Sequence, residues 1–160
     1  MSSLRRKKNQ SGFTLIELLI VVIIVAVLAA VGVPLLQGNV QRARMTEADA
    51  ALGTIRTGMR AYYAEHGQYA APVDFSVIGI KLPDTNANPP VAGDLDGRYF
   101  SQTSYILPTT GNSGSTFCAG VDGGTNNSAL RASEVSTVKR SMDQVGSIYN
   151  NATCTLPAIN

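Results

Sequence analysis

Few side chains in this sequence could do chemistry, and the most informative is a carboxylate at the edge of an apolar run. Glu17 stands directly before Leu18–Leu36, a stretch without a charged side chain. A charge in lipid costs on the order of 2.5–3.5 kcal/mol at mid-membrane and less near the edge, so an acid placed there calls for a partner. No basic residue lies within several turns on its own segment, which puts that partner on another chain. His66 is the only histidine and precedes Gly67 at a helix end, where an imidazole suits the dipole. No second histidine or convergent acid and thiol completes a catalytic or metal-binding set around it. Cys118 and Cys154 have no second pair to form a zinc site, and a disulfide in an oxidising compartment is their simplest use, restraining the unfolded chain by roughly 4 kcal/mol. Unpaired thiols in a reduced cytoplasm are the alternative.

Other polar groups fit turns better than ligands. Asp122, Asn126 and Asn127 could offer oxygens to calcium, but their spacing does not match a helix-loop-helix calcium site and turn chemistry explains them as well. The glycine-rich segments lack the lysine and hydroxyl of a phosphate loop, and the serines and threonines form no nucleophile elbow. No catalytic residue, metal or cofactor is therefore expected, and the chain reads as a protein that is not an enzyme.

Charge and hydropathy organise the elements. The sequence holds 13 basic and 11 acidic residues, but Arg5, Arg6, Lys7 and Lys8 stand together at the start, and without them acids outnumber bases. A weakly acidic remainder matches a phosphate backbone poorly, so no nucleic-acid partner is expected and the basic cluster reads as a signal keeping the N-terminus cytoplasmic. The stretch Leu18–Leu36, about 19 residues, covers roughly 28 Å as a helix, close to the hydrocarbon thickness of a bilayer. A conventional signal peptide cut near Ala29-Ala30 is the rival topology, but a disposable signal gains nothing from Glu17.

The run Gly12-Phe13-Thr14-Leu15-Ile16-Glu17-Leu18-Leu19-Ile20-Val21-Val22 closely resembles the signature of type IV pilins and pseudopilins. The resemblance covers about 25 residues, to Pro34, and is architectural beyond that. It implies that a prepilin peptidase cuts between Gly12 and Phe13, that the new Phe13 amine is methylated, and that Glu17 pairs with the Phe13 amine of a neighbouring subunit during assembly. Gly32 and Pro34 weaken the helix physically, the first by roughly 1 kcal/mol in propensity and the second by removing a donor, so a bend or local melting is expected there.

After Pro34 the pattern turns amphipathic. Met45, Ala48, Leu52, Ile55, Met59 and Tyr62 form one stripe at spacings of three and four, with Arg42, Arg44, Glu47, Asp49, Arg56, Arg60 and Glu65 mostly off it on a solvated face. The helix is predicted to end at His66-Gly67. Residues 67–97 read as a loop-rich connection around the apolar stretch Phe75–Ile80. Strands are expected at Arg98–Leu107, Ser115–Val121 and Ala129–Val138, with a turn at Asp122–Asn127 and a last extended piece at Gly146–Leu156, the alternative being a short helix within Val135–Tyr149.

The expected fold is α+β, a long N-terminal helix packed on a small antiparallel sheet. Its parts are a leader at 1–12, a hydrophobic membrane and filament-core helix at 13–40, the amphipathic half at 41–66, and a head at 67–160 with a C-terminal loop bounded by the disulfide. The resemblance further implies a self-polymerising pilus subunit partnered by the peptidase and methylase, an assembly ATPase, an inner-membrane platform and a secretin. It places the chain in the bacterial inner membrane, head in the periplasm, and afterwards in an extracellular pilus. A pseudopilin of a type II secretion system or a minor pilin shares the signature, and an anchored binding module is the third reading.

Overall fold

The computed structural model describes residues 12–69, 74–124, 129 and 132–152. One helix, α1, runs Leu15–His66. It stops where expected: Gly67 takes φ +72°, which costs a residue without Cβ little, and donates its N–H to the Tyr63 carbonyl at 2.8 Å. The chain divides into two compact units, Met1–Val40 and Gln41–Asn160. In the first, α1 shows its apolar side chains to the surroundings all round, from 47% exposure at Leu19 to 86% at Leu15.

In the second unit the amphipathic stripe builds a core. Ala48, Leu52, Ile55 and Met59 are fully buried, with Met45 and Tyr62 half-buried at its ends. Phe75, Ile78, Phe100, Phe117, Val121 and Val135 join them. Burying side chains of this size contributes about 1.5–3 kcal/mol each.

The sheet is an antiparallel meander of β1 (Tyr105–Gly111), β2 (Thr116–Asp122), β3 (Lys139–Asp143) and β4 (Ile148–Tyr149), in that order. Pro108 lies where the β1–β2 register shifts between Ile106 and Thr109, on an edge strand where its missing N–H is tolerated. Alternation along β2 turns Phe117, Ala119 and Val121 into the core and leaves Cys118 and Gly120 on the opposite face. The chain returns over that face at Ala152, whose carbonyl oxygen would stand 2.6 Å from a Cβ at Gly120.

Three expectations about the head change. Arg98–Ser104 is not a strand, because the Tyr99 and Phe100 N–H groups are taken by a side chain of α1 and Gln102–Ser104 winds into a 3-10 turn before β1 begins. Within Ala129–Val138, residues 132–134 form a 3-10 turn and Val138 closes on Val135 at 2.8 Å; the strand next to β2 is instead Lys139–Asp143. That pairing leaves no helix between Val135 and Tyr149, and in the described part of Gly146–Leu156 only Ile148–Tyr149 is strand. The Phe75–Ile80 stretch becomes a 3-10 turn, Phe75–Ile78, capped by Asp74.

Two positions in the head carry clear consequences. A Cβ at Gly123 would stand 2.1 Å from the Val135 carbonyl oxygen, a backbone atom with little room to retreat. Gly123→Ala is expected to cost roughly 1–3 kcal/mol, checked by thermal unfolding of the full chain in detergent. Asp143 closes the β3–β4 turn: Oδ1 accepts the N–H groups of Val145, Gly146 and Ser147 at 2.8–3.0 Å, and Oδ2 accepts the Tyr149 hydroxyl at 3.0 Å. Burial acts to raise its carboxyl, but those hydrogen bonds together hold it below the usual carboxylate range. Its contribution is therefore complete above the unfolded carboxyl pKa of about 3.9 and is lost as pH falls through the lower folded value. Asp143→Asn should flatten the acid limb of a melting-temperature profile below about pH 4. An unchanged slope there would remove Asp143 from the account of acid unfolding.

Candidate assembly segment

The N-terminal motif holds a reciprocal cap. Thr14 is the last residue before α1, and its carbonyl accepts the first helical bond, from Leu18 N–H at 3.4 Å. Its hydroxyl oxygen accepts the Glu17 N–H at 3.3 Å, while the Glu17 carboxylate accepts the Thr14 N–H at 3.1 Å and the Thr14 hydroxyl at 2.8 Å. This is a capping box, and it satisfies backbone donors at the helix start that would otherwise lack a partner within the chain. Gly12 and Phe13 lie outside the helix and are exposed, Phe13 by 78%. Glu17 thus has a local role that the sequence reading missed, although the Thr-x-x-Glu spacing that signals it was present. α1 continues unbroken through Gly32 and Pro34.

Within the second unit, charges flanking the stripe grip the head. Glu47 Oε1 accepts the Tyr99 and Phe100 N–H groups at 2.8 and 2.9 Å. Asp49 takes a two-pronged bond from Arg140, both contacts 2.7 Å, and Arg140 also donates to the Asn150 side chain. Arg56 donates to the Gln144 and Val145 carbonyls, and Arg44 pairs with Glu134 while lying 5.5 Å from the Tyr99 ring centre. Arg44, Glu47, Asp49 and Arg56 are accordingly partners of the head, and the expectation that they line a solvated face is corrected for them. Their partners lie far away in sequence, so periodicity carried no signal of them.

His66 stacks on Tyr62 with ring centres 4.0 Å apart, and its Nδ1 lies 3.0 Å from the Tyr62 carbonyl oxygen. Asp122 pairs with Lys139 at 3.0 Å and accepts the Gly124 N–H. Asn126 and Asn127 lie outside the described residues, as does Cys154. Cys118 is buried on β2 and is not a free thiol. Among the described residues, no three His, Cys, Asp or Glu side chains converge as metal ligands.

The comparisons agree with the capped apolar segment. The model of the prokaryotic N-terminal methylation motif matches residues 7–33. The fimbrial protein EcpC of Eikenella corrodens is 33% identical over 108 residues, 68% of this chain and 61% of that protein. The type IV major pilin protein PilE1 of Neisseria gonorrhoeae is 37% identical over 107 residues, 65% of this chain and 54% of its own length. The chain is similar to type IV pilins over about two thirds of its own length. The type IV major fimbrial protein FimA of Dichelobacter nodosus adds 31% identity over 110 residues, 69% of this chain and 62% of that pilin. The matches thus span less than two thirds of each of these pilins. No solved structure matches the chain. The likeness to pilins accords with the helix and sheet described above, and the capping box lies within the residues that match the methylation motif.

Proposed function

We propose that this chain is a structural subunit of a type IV pilus that polymerises through its N-terminal helix. The observation that carries the reading is the helical surface from Leu18 to Leu36, about half-exposed or more at its large apolar residues, which only lipid or other such helices could cover. Leaving lipid would expose that surface, so extraction from the membrane and packing against equivalent helices must be coupled. Residues 1–12 serve as leader; a prepilin peptidase cuts between Gly12 and Phe13 and methylates the Phe13 amine. Glu17 then pairs with the Phe13 amine of a neighbouring subunit, and Gly32 and Pro34 provide a soft point in the assembled helix.

The chain waits in the inner membrane with residues 41–160 in the periplasm. An assembly ATPase, an inner-membrane platform and a secretin carry it into an extracellular filament. Cys118 and Cys154 form the disulfide that bounds the C-terminal loop. Ala152 crosses the Cys118 face of β2, and Cys154 follows it by two positions in the sequence.

Intact mass and N-terminal sequencing of sheared surface filaments, with inner membranes in parallel, test the proposal. The expected species begins at N-methylated Phe13, carries two hydrogens fewer than the reduced chain, and is abundant in the sheared fraction. The same species confined to membranes would replace the pilus by a pseudopilin role, and a different start would overturn the processing site.

A further inference from the structure

The capping box lies beside the bond whose cleavage the preceding section proposes. The helical ladder begins at the Thr14 carbonyl, so the Gly12 carbonyl, the one a peptidase attacks, is two residues outside it. If the helix began further back it would capture that group. Ser11 is the next residue upstream able to cap a helix, and a helix capped there would bond the Gly12 carbonyl to the Ile16 N–H. Gly12 alone is a weak barrier to that extension, because its cost in a helix is only about 1 kcal/mol. What holds the boundary at Leu15 is the Thr14 hydroxyl on the Glu17 N–H, with Thr14 itself fixed by the Glu17 carboxylate.

We propose that Thr14 is a positioning residue for leader removal: by ending the helix at Leu15, it keeps the Gly12–Phe13 peptide unwound and open to hydrolysis. This inference rests on the proposed processing between Gly12 and Phe13. In that step water adds across the peptide, the carbon–nitrogen bond breaks, Gly12 takes the new carboxylate and Phe13 the new amine. Thr14 touches none of those atoms. It sets the fraction of chains in which they are accessible, and a chain competent only part of the time binds its enzyme more weakly in proportion to that fraction.

The test follows cleavage of the full-length chain by a prepilin peptidase in detergent micelles, with Thr14→Ser, Thr14→Asn, Thr14→Ala and Thr14→Val compared. Ser and Asn cap helices well and share little other chemistry, whereas Ala and Val cannot cap. The expected result is cleavage of the Ser and Asn variants within about two-fold of the original, and a rise in KM of about five-fold for Ala and Val at unchanged kcat, the ordinary worth of a cap. Equal KM values across the set would overturn the inference, as would a Ser variant that is cut normally while Asn behaves like Ala, because the peptidase would then be reading the hydroxyl itself. If the original chain is cut elsewhere or not at all, the processing site is wrong and the role of Thr14 falls with it. Cleavage at Gly12–Phe13 that ignores residue 14 sinks only the positioning role.

Discussion

Chains carrying Glu17→Ala should be anchored and still largely cut, because the Thr14 hydroxyl keeps its bond to the backbone N–H of residue 17, yet yield filaments reduced by more than roughly ten-fold when they are the only subunit present. The proposed assembly pairs the Glu17 carboxylate with the Phe13 amine of a neighbour, away from water, and losing one member strands the other. A partner left charged and buried costs about 3–5 kcal/mol, enough to shift an assembly equilibrium by more than that factor. The capping box complicates the experiment usefully, because Ala also removes the acceptor for the Thr14 N–H. Glu17→Gln separates the two roles. A glutamine keeps an acceptor for Thr14, as capping boxes accept Glu or Gln, but cannot pair as an ion. Both variants should fail to assemble, measured as the ratio of sheared to membrane-bound protein. Abundant Gln filaments would show that the cap is what assembly needs and that the charge is not.

The second large effect belongs to Glu47. Glu47→Ala is expected to destabilise the second unit by roughly 2–5 kcal/mol, because it leaves the N–H groups of Tyr99 and Phe100 without their acceptor. Both residues are buried, Phe100 completely, so water offers poor compensation. Gly97 allows the close fit, since a Cβ there would stand 2.4 Å from the same carboxylate oxygen. One oxygen accepts both bonds, so Glu47→Gln should retain most of the stability. Urea unfolding of the full chain in detergent, followed by tyrosine fluorescence, reads the difference. An Ala variant within about 0.5 kcal/mol of the original would mean that the two amides find other partners.

These two carboxylates show what the sequence discloses and what it withholds. Glu17 could be singled out because its anomaly is local, an acid beside an apolar run. Helix geometry was legible for the same reason: the stripe from Ala48 to Met59 and the stop at Gly67 depend on neighbours three or four residues away. Glu47 looked like one more surface charge, because its partners lie across the fold at Tyr99 and Phe100. That same contact explains the strand misplaced at Arg98–Leu107, where side chains suited to a strand sit on a backbone whose donors are occupied. Lys139–Asp143 failed in the opposite direction. Lysine, arginine and aspartate give it little strand character, and its place in the sheet comes from pairing with β2 and from the grip of Arg140 on Asp49.

In the loop-rich connection, Asp84 and Val91 exchange both backbone hydrogen bonds, at 2.9 and 3.0 Å. Such a pair works as a collar. The chain beyond it starts and finishes at one fixed point, while its base is held by Lys81 N–H on the Asp94 carboxylate at 2.8 Å. What lies between residues 85 and 90 can then be exchanged or lengthened at small entropic cost, about 0.6 kcal/mol for each doubling of the loop, without disturbing the sheet. The collar makes this the natural place to splice a foreign peptide into the chain for display, since the graft would inherit its anchorage from Asp84 and Val91.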